Sequence, residues 1–217
     1  MTSSSPEQLS ATGAERAADA GAIADAKAAL RAGMLARRAA LAPQVRVHAA
    51  TALAGHAARL EPVAGEVIAG FSPIRGEIDP LPLLAVLDEA GATIALPAVT
   101  ADGLVFRRWR PGEPLVSAGF GTREPAADAE TVRPSLLLVP LLAFDRTGGR
   151  LGYGKSFYDR AITALLADGP LRTAGIAFSA QETATVPMEN HDRRLDLVLT
   201  ECEAIDCRGN RAGAARD

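Results

Sequence analysis

The span from Leu136 to Ala167 limits the fold more than any other part of this 217-residue chain. It opens on an apolar run, Leu136 to Val139, with the length and flanks of a buried strand. It closes on Phe157 to Ala167, where apolar residues recur at helical spacing. Between them lies Asp145 to Arg160, DRTGGRLGYGKSFYDR, which holds Gly148, Gly149, Gly152 and Gly154, the cations Arg146, Arg150, Lys155 and Arg160, and the carboxylates Asp145 and Asp159. Glycine contributes no apolar area and costs backbone entropy, so this segment is not written as a packing element. It does let backbone N–H groups approach an anion closely, with cations at hand. Strand, basic glycine-rich loop and helix form the layout of a phosphate site in a β–α unit.

The rest of the chain repeats that alternation. An alanine-rich helix runs from about Gly21 towards Pro43, with Lys27, Arg31 and Arg38 within roughly 40° of one another around its axis. Leu30, Met34 and Leu41 read as a second face. Solvated cations on a surface helix account for this pattern, and a grip by Lys27 and Arg31 on a polyphosphate is the sharper alternative. Pro43 opens a second helix to about Leu60, whose His48 and His56 lack a third ligand at matching spacing and read as surface or packing residues. Glu66 to Phe71 is a strand and Ser72 to Asp79 a polar loop. Asp79 and Pro80 start a helix over Leu81 to Ala90 that Gly91 closes. Strands are expected at Ala92 to Leu96, Leu104 to Trp109, Thr173 to Phe178 and Leu195 to Thr200, with Gly112 to Pro134 irregular. Lone Trp109 reads as core.

This order predicts an α/β fold: a single three-layer domain over residues 21–205, with a mostly parallel sheet and helices on both faces. Residues 1–20 read as a mobile tail and 206–217 as a polar one. In such sheets ligands gather outside the carboxyl ends of the strands. Three polar loops, 72–79, 141–159 and 179–196, each follow a strand. If those strands are parallel, the loops converge and gather Glu77, Arg150, Tyr153, Lys155, Asp159, Gln181, His191 and Asp192.

Composition removes several functions. A formal charge of −3 and a pI near 5.7 argue against nucleic acid or acidic membranes as partners. No apolar stretch is long enough to span a bilayer, and residues 1–20 lack a basic start and an apolar core segment. Cys202 and Cys207 have no histidine nearby in sequence and read as free thiols. The chain reads as soluble and cytoplasmic, acting on small molecules, with no obligate protein partner.

Gly149 to Ser156, GRLGYGKS, spells the G-x-x-x-x-G-K-[ST] of a P-loop. A P-loop follows its strand at once, however, and residues 141–148 intervene here. The Walker B candidate, Leu83 to Glu89 (LLAVLDE), reads better as helix. A wider match covers residues 24 to 201. RLGYGKSFYDR resembles the RLGYGxGYYDR signature of 5-formyltetrahydrofolate cyclo-ligases, also called methenyltetrahydrofolate synthetases. KAALR (Lys27 to Arg31), RGEIDP (Arg75 to Pro80), the run Phe106 to Pro125 with WRPGEPL and GFGTREP, LVPLLAF (Leu138 to Phe144), and Gly175 to Thr200 with GIAFSAQE, HDRRLD and VLT are similar to further family segments in the same order.

The resemblance implies ATP- and Mg²⁺-dependent cyclisation of 5-formyltetrahydrofolate to 5,10-methenyltetrahydrofolate, with release of ADP and phosphate. It implies that Lys27 and Arg31 bind ATP phosphates and that Arg150, Leu151, Gly152, Tyr153, Gly154, Lys155, Ser156, Phe157 and Tyr158 wrap the nucleotide. Lys155 and Arg150 would be catalytic. Asp159 would bind Mg²⁺ with Asp192 as second carboxylate, while Glu77, Ser72 and Tyr153 would hold the pterin. Phosphoryl transfer of this kind works by positioning and charge neutralisation, which explains glycines, cations and carboxylates without a Ser–His or Cys–His pair. A non-catalytic folate- or nucleotide-binding relative and a P-loop NTPase are the alternatives. The chain departs from the family at Ser156 and Phe157, where Gly and Tyr are usual, and Ser156 puts a Cβ where the backbone is apt to need a positive φ.

Overall fold

The computed structural model describes residues 6–189 and 191–209. Its helices are α1 (Pro6–Ala39), α2 (Pro43–Ala54), α3 (Leu81–Glu89) and α4 (Phe157–Ala167). The strands are β1 (Val67–Ala69), β2 (Thr93–Thr100), β3 (Gly103–Arg108), β4 (Val116–Ser117), β5 (Arg123–Glu124), β6 (Leu136–Pro140), β7 (Ala143–Phe144), β8 (Arg150–Leu151), β9 (Arg172–Ile176), β10 (Leu197–Leu199) and β11 (Ala204–Asp206). Seven of them make one sheet in the order β11-β10-β9-β6-β1-β2-β3. The inner five run parallel, and β3 and β11 close the two edges antiparallel.

The LLLV run of β6 explains why the sheet is covered twice. Side chains alternate along a strand, so a continuously apolar strand needs apolar partners on both faces. Leu136 and Leu138 face Leu53 of α2, Leu83, Leu84 and Leu87 of α3, and Leu60 of a short 3₁₀ turn. Leu137 and Val139 face Ala161, Ile162 and Leu165 of α4, with Phe106 and Val198 beside them. Helix α3 starts at Leu81 as expected, but its N-cap is Pro80 rather than Asp79, whose Oδ1 accepts the Leu81 N–H at 2.9 Å from just outside the helix.

Several boundaries differ from the sequence reading. Helix α1 starts at Pro6, inside the segment read as a tail, since the stretch after that proline is rich in alanine and glutamate. Strand β11 and buried Cys207 carry the ordered fold past residue 205. The Gly112–Pro134 stretch contains the two-residue pair β4–β5, and the 141–159 loop contains the hairpin β7–β8.

The faces of α1 also need correction. Lys27, Met34 and Arg38 are all buried, and Leu30 packs partly against the cluster of Met34, Ala143, Leu151 and Val186. Cations and apolar residues therefore share one stripe, whereas a reading that takes charged side chains as solvated puts them on two faces. That stripe meets β7 and the 3₁₀ turn Ser179–Gln181, which follow β6 and β9. Helix α1 thus lies across the carboxyl end of the sheet.

Candidate active site

Strands β1 and β6 are neighbours, yet their connections leave in opposite directions: β1 leads through α3 to β2, and β6 leads through α4 to β9 on the other side. This is the switch point of an open parallel sheet, where the loops part and leave a crevice. A cavity of about 400 Å³ occupies it, of a size for a small-molecule site. Its walls include Lys27 and Arg31 of α1, Ser72, Arg75 and Glu77 of the β1–α3 loop, Arg150 to Asp159, and Glu189, His191 and Asp192. Thr122, Arg123 and Glu124 close it from the β4–β5 side.

The glycine-rich stretch divides into two parts with different work. Buried Asp145 accepts the N–H groups of Thr147, Gly149 and Val186 at 2.9, 3.0 and 2.9 Å and the Thr147 hydroxyl at 2.7 Å. Burial pushes its carboxyl up, but these bonds outweigh that and hold it below the ordinary range. A Cβ on Gly149 would stand 2.4 Å from Asp145 Oδ2, and Gly148 (φ +85°) would meet the Leu195 carbonyl at 2.3 Å. Asp145, Gly148 and Gly149 therefore build the hairpin rather than an anion site. Arg150 and Leu151 are paired in β8, which overturns the P-loop reading, because the motif's central residues are strand rather than phosphate loop.

The second part, Gly152 to Ser156, is the wall of the cavity. Gly154 takes φ +87°, and Arg31 lies against this turn, its Nε donating to the Gly152 carbonyl at 3.0 Å. Ser156 sits at φ 49°, ψ 20° immediately before α4, without a side-chain capping bond. The expected departure from glycine is thus a left-handed serine. Lys155 is exposed, and Phe157 and Tyr158 open α4, so the positive end of that helix faces the cavity. Arg160 stacks on Phe157 at 5.1 Å. Burial raises the Tyr158 phenol's pKa.

Two charge clusters flank this wall. Lys27 Nζ, at 8% side-chain exposure, bonds Glu189 Oε2 and Asp192 Oδ2, each at 2.6 Å. Burial disfavours charge on Lys27, but both carboxylates together raise its pKa. Asp192 is pushed up by burial and held down on balance by Lys27 and the Glu189 N–H. In the second cluster Asp159 Oδ1 accepts Arg150 Nη2 at 2.7 Å and the Arg193 N–H at 3.2 Å. Asp159 and Asp192 line the same cavity, but the ligand atoms within 4.8 Å of one another belong to Glu189, His191 and Asp192. Glu189 escaped the sequence reading, having only its acidity as a signal.

In the same cavity Glu77 is buried. Its Oε2 accepts the Ile74 N–H at 2.9 Å, and its Oε1 has no partner. Burial raises its pKa, opposed by the Ile74 N–H, Arg38, Tyr153 and Arg75. The guanidinium carbons of Arg75 and Arg38 lie 5.2 and 5.7 Å from the centre of the Tyr153 ring. Neither arginine was assigned to the site from sequence. Gln181 was, and is not in it: it is buried, donating to the Leu141 and Leu142 carbonyls at 2.8 and 3.0 Å and accepting the Phe178 N–H at 3.1 Å. Trp109 is core, as expected, with Nε1 donating to the Glu113 carbonyl at 3.1 Å.

Comparison with known proteins adds the chemistry. The model of the 5-formyltetrahydrofolate cyclo-ligase family matches residues 23–201. A 5-formyltetrahydrofolate cyclo-ligase of Mycolicibacterium smegmatis is 34% identical over 82% of this chain and 95% of its own length. One from Escherichia coli is 32% identical over 76% of this chain and 94% of its own. The 5,10-methenyltetrahydrofolate synthetase of Aquifex aeolicus superposes with a TM-score of 0.66 at 29% identity, covering 84% of this chain and 93% of the other.

Proposed function

This chain belongs to the 5-formyltetrahydrofolate cyclo-ligase family, and on that premise we propose how its cavity carries out the family's reaction. The enzyme converts 5-formyltetrahydrofolate to 5,10-methenyltetrahydrofolate. The formyl oxygen is a poor leaving group, so it attacks the γ-phosphorus of ATP and releases ADP. N10 then closes on the activated carbon, loses its proton, and inorganic phosphate departs with the oxygen. Such a reaction asks the protein for alignment and charge neutralisation.

The chain's residues divide accordingly. Gly152 to Ser156, Lys155 and the amino end of α4 receive the phosphates, with Arg31 bracing the turn and Lys27 adding charge beside it. Arg150, tied to Asp159, faces the transferred group. Leu151, Phe157 and Tyr158 support the nucleotide. The donors suit a hard cation: carboxylates of Asp159 and Asp192, with Glu189 beside the latter, would hold Mg²⁺, which would screen the phosphate oxygens. Glu77 takes the pterin, a ring with several N–H donors, and Ser72 and Tyr153 line the same cavity. We place the enzyme in the cytoplasm, whose reducing conditions suit the exposed free thiol of Cys202.

One observation carries this reading. The same cavity is lined by buried Glu77, whose Oε1 has no bonded partner, and by a glycine turn with a helix amino end. Near-ultraviolet absorbance of methenyltetrahydrofolate, followed after mixing 5-formyltetrahydrofolate, ATP and Mg²⁺ with the protein, tests it. Product that requires all three is expected. Product without ATP or without Mg²⁺ would overturn the phosphoryl-activation scheme, and folate binding without product would favour a non-catalytic relative.

A further inference from the structure

Arg38 is among the most buried side chains described, at 1% exposure, although it carries a permanent charge. Its Nη2 donates to the Tyr153 hydroxyl and to the Arg75 carbonyl at 3.0 Å, while Nε and Nη1 have no partner. An arginine that merely tied α1 to a loop would be expected to fill its fork with carbonyl oxygens or a carboxylate bonded directly. Here the carboxylate is Glu77, close enough to interact by charge but not bonded to it, and its Oε1 is also unpartnered. Tyr153 lies between them. Its oxygen accepts the hydrogen bond from Arg38, which leaves the phenolic O–H free to point to Glu77, and the guanidinium lies at the hydroxyl edge of the ring.

We propose that Arg38 is a positioning residue for substrate recognition: its buried guanidinium fixes the Tyr153 ring and supplies the counter-charge that keeps Glu77 ready for the N–H donors of the pterin. Arg38 does not line the cavity, so it acts through these two neighbours rather than on the substrate. The inference rests on the reading that Glu77 binds the pterin. The other groups facing Glu77 are Arg75 of its own loop, Tyr153 of the glycine turn and Tyr158 of α4. Both tyrosines are neutral near neutral pH, and Arg75 is exposed, so Arg38 is the buried cation of the set. The burial that raises the pKa of Glu77 would go less opposed without Arg38, and the carboxylate would gain its proton at a higher pH.

The test compares Arg38→Met, Arg38→Lys, Tyr153→Phe and Glu77→Gln in the full chain, with thermal melts as the folding control. Steady-state kinetics are measured against folate and against ATP over a range of pH. For Arg38→Met the KM for folate rises about tenfold, the KM for ATP stays within about twofold, and the acid limb of kcat/KM for folate moves up by about one pH unit. Arg38→Lys restores the position of that limb. Tyr153→Phe raises the folate KM and moves the limb up by less than Arg38→Met does, because the lost hydroxyl also helps to hold Glu77 down while the buried charge of Arg38 stays. Should Arg38→Met not fold, Arg38→Gln, which keeps a donor for Tyr153 and drops the charge, decides on the same limb. An unmoved limb in a folded Arg38 variant, or KM values for folate and ATP that rise together, would overturn the proposal. Glu77→Gln separates the two ideas: if it leaves the folate KM unchanged, the pterin assignment itself fails. If it raises that KM while Arg38 variants behave as wild type, only the role of Arg38 fails.

Discussion

Replacing Lys27 with methionine removes one ammonium group and leaves two carboxylates facing each other. In the intact protein that ammonium bonds Glu189 and Asp192 at 2.6 Å each. Breaking a buried ion pair from one side typically costs about 3–5 kcal/mol, because the remaining charge stays desolvated. Glu189 is 35% exposed and shares its charge with water, while Asp192 at 13% is less relieved. Solvent screening of that more exposed half brings the expected loss to roughly 2–3 kcal/mol. For a chain of this size the melting temperature should fall by about 4–12 °C.

The pH dependence checks the cause. Asp192 is held below its ordinary value of 3.8, so its share of the stability is present above that value and is lost as pH falls through the depressed one. Lys27 is held above 10.5, so its share is complete below 10.5 and is lost as pH rises through the elevated value. Melting curves of wild type and Lys27→Met should therefore lie a constant distance apart across the neutral range and converge in acid. Millimolar Mg²⁺ should restore more stability to the variant than it adds to wild type, since it would meet carboxylates with no cation between them. A gap of the same size at every pH down to strong acid would refute the ion-pair account and leave only lost packing.

Three further outcomes follow from the same structure. Ser156→Gly relieves a left-handed residue, worth about 1–2 kcal/mol, against roughly 0.5–1 for the freer unfolded chain. A rise in melting temperature of about 2 °C is expected, and a fall would show that the serine side chain makes a compensating contact. Asp159→Asn keeps an oxygen for Arg150 and removes the charge that the proposed Mg²⁺ would meet, so turnover should drop about a hundredfold in a folded protein. Wild-type-like turnover would contradict the metal role. Asp145→Ala strips four accepted hydrogen bonds from a buried carboxylate and should cost about 3 kcal/mol, read from denaturant unfolding. If stability held but ATP affinity fell, Asp145 would belong to the nucleotide site and not to the hairpin.

Local pattern carried a good part of the fold. Helix α4 spans Phe157–Ala167, the span expected from its spacing, because one amphipathic face and a glycine after Asp168 mark it without help from distant residues. The LLLV of β6 was equally readable. What escaped depends on contacts far apart in sequence. Two-residue strands such as β7 and β8 have no period to detect, and the need for glycine at 148 is set by the carbonyl of Leu195. Lys27 could be recognised as buried only with the acids that neutralise it at the other end of the chain in view.

The same limit explains the false P-loop. The letters G-x-x-x-x-G-K-S are correct, but a P-loop requires that the residues between its glycines be loop and that its helix follow directly. Here Arg150 and Leu151 are held in β8 by pairing with Phe144 and Ala143, so the first glycine lies on the far side of a strand. Ser156, whose hydroxyl completes the spelling, has a left-handed backbone and stands outside the helical geometry of α4. In a family whose signature has glycine at this position, the left-handed turn comes first and the serine is tolerated in it. The residue that created the motif is therefore the one whose backbone contradicts it.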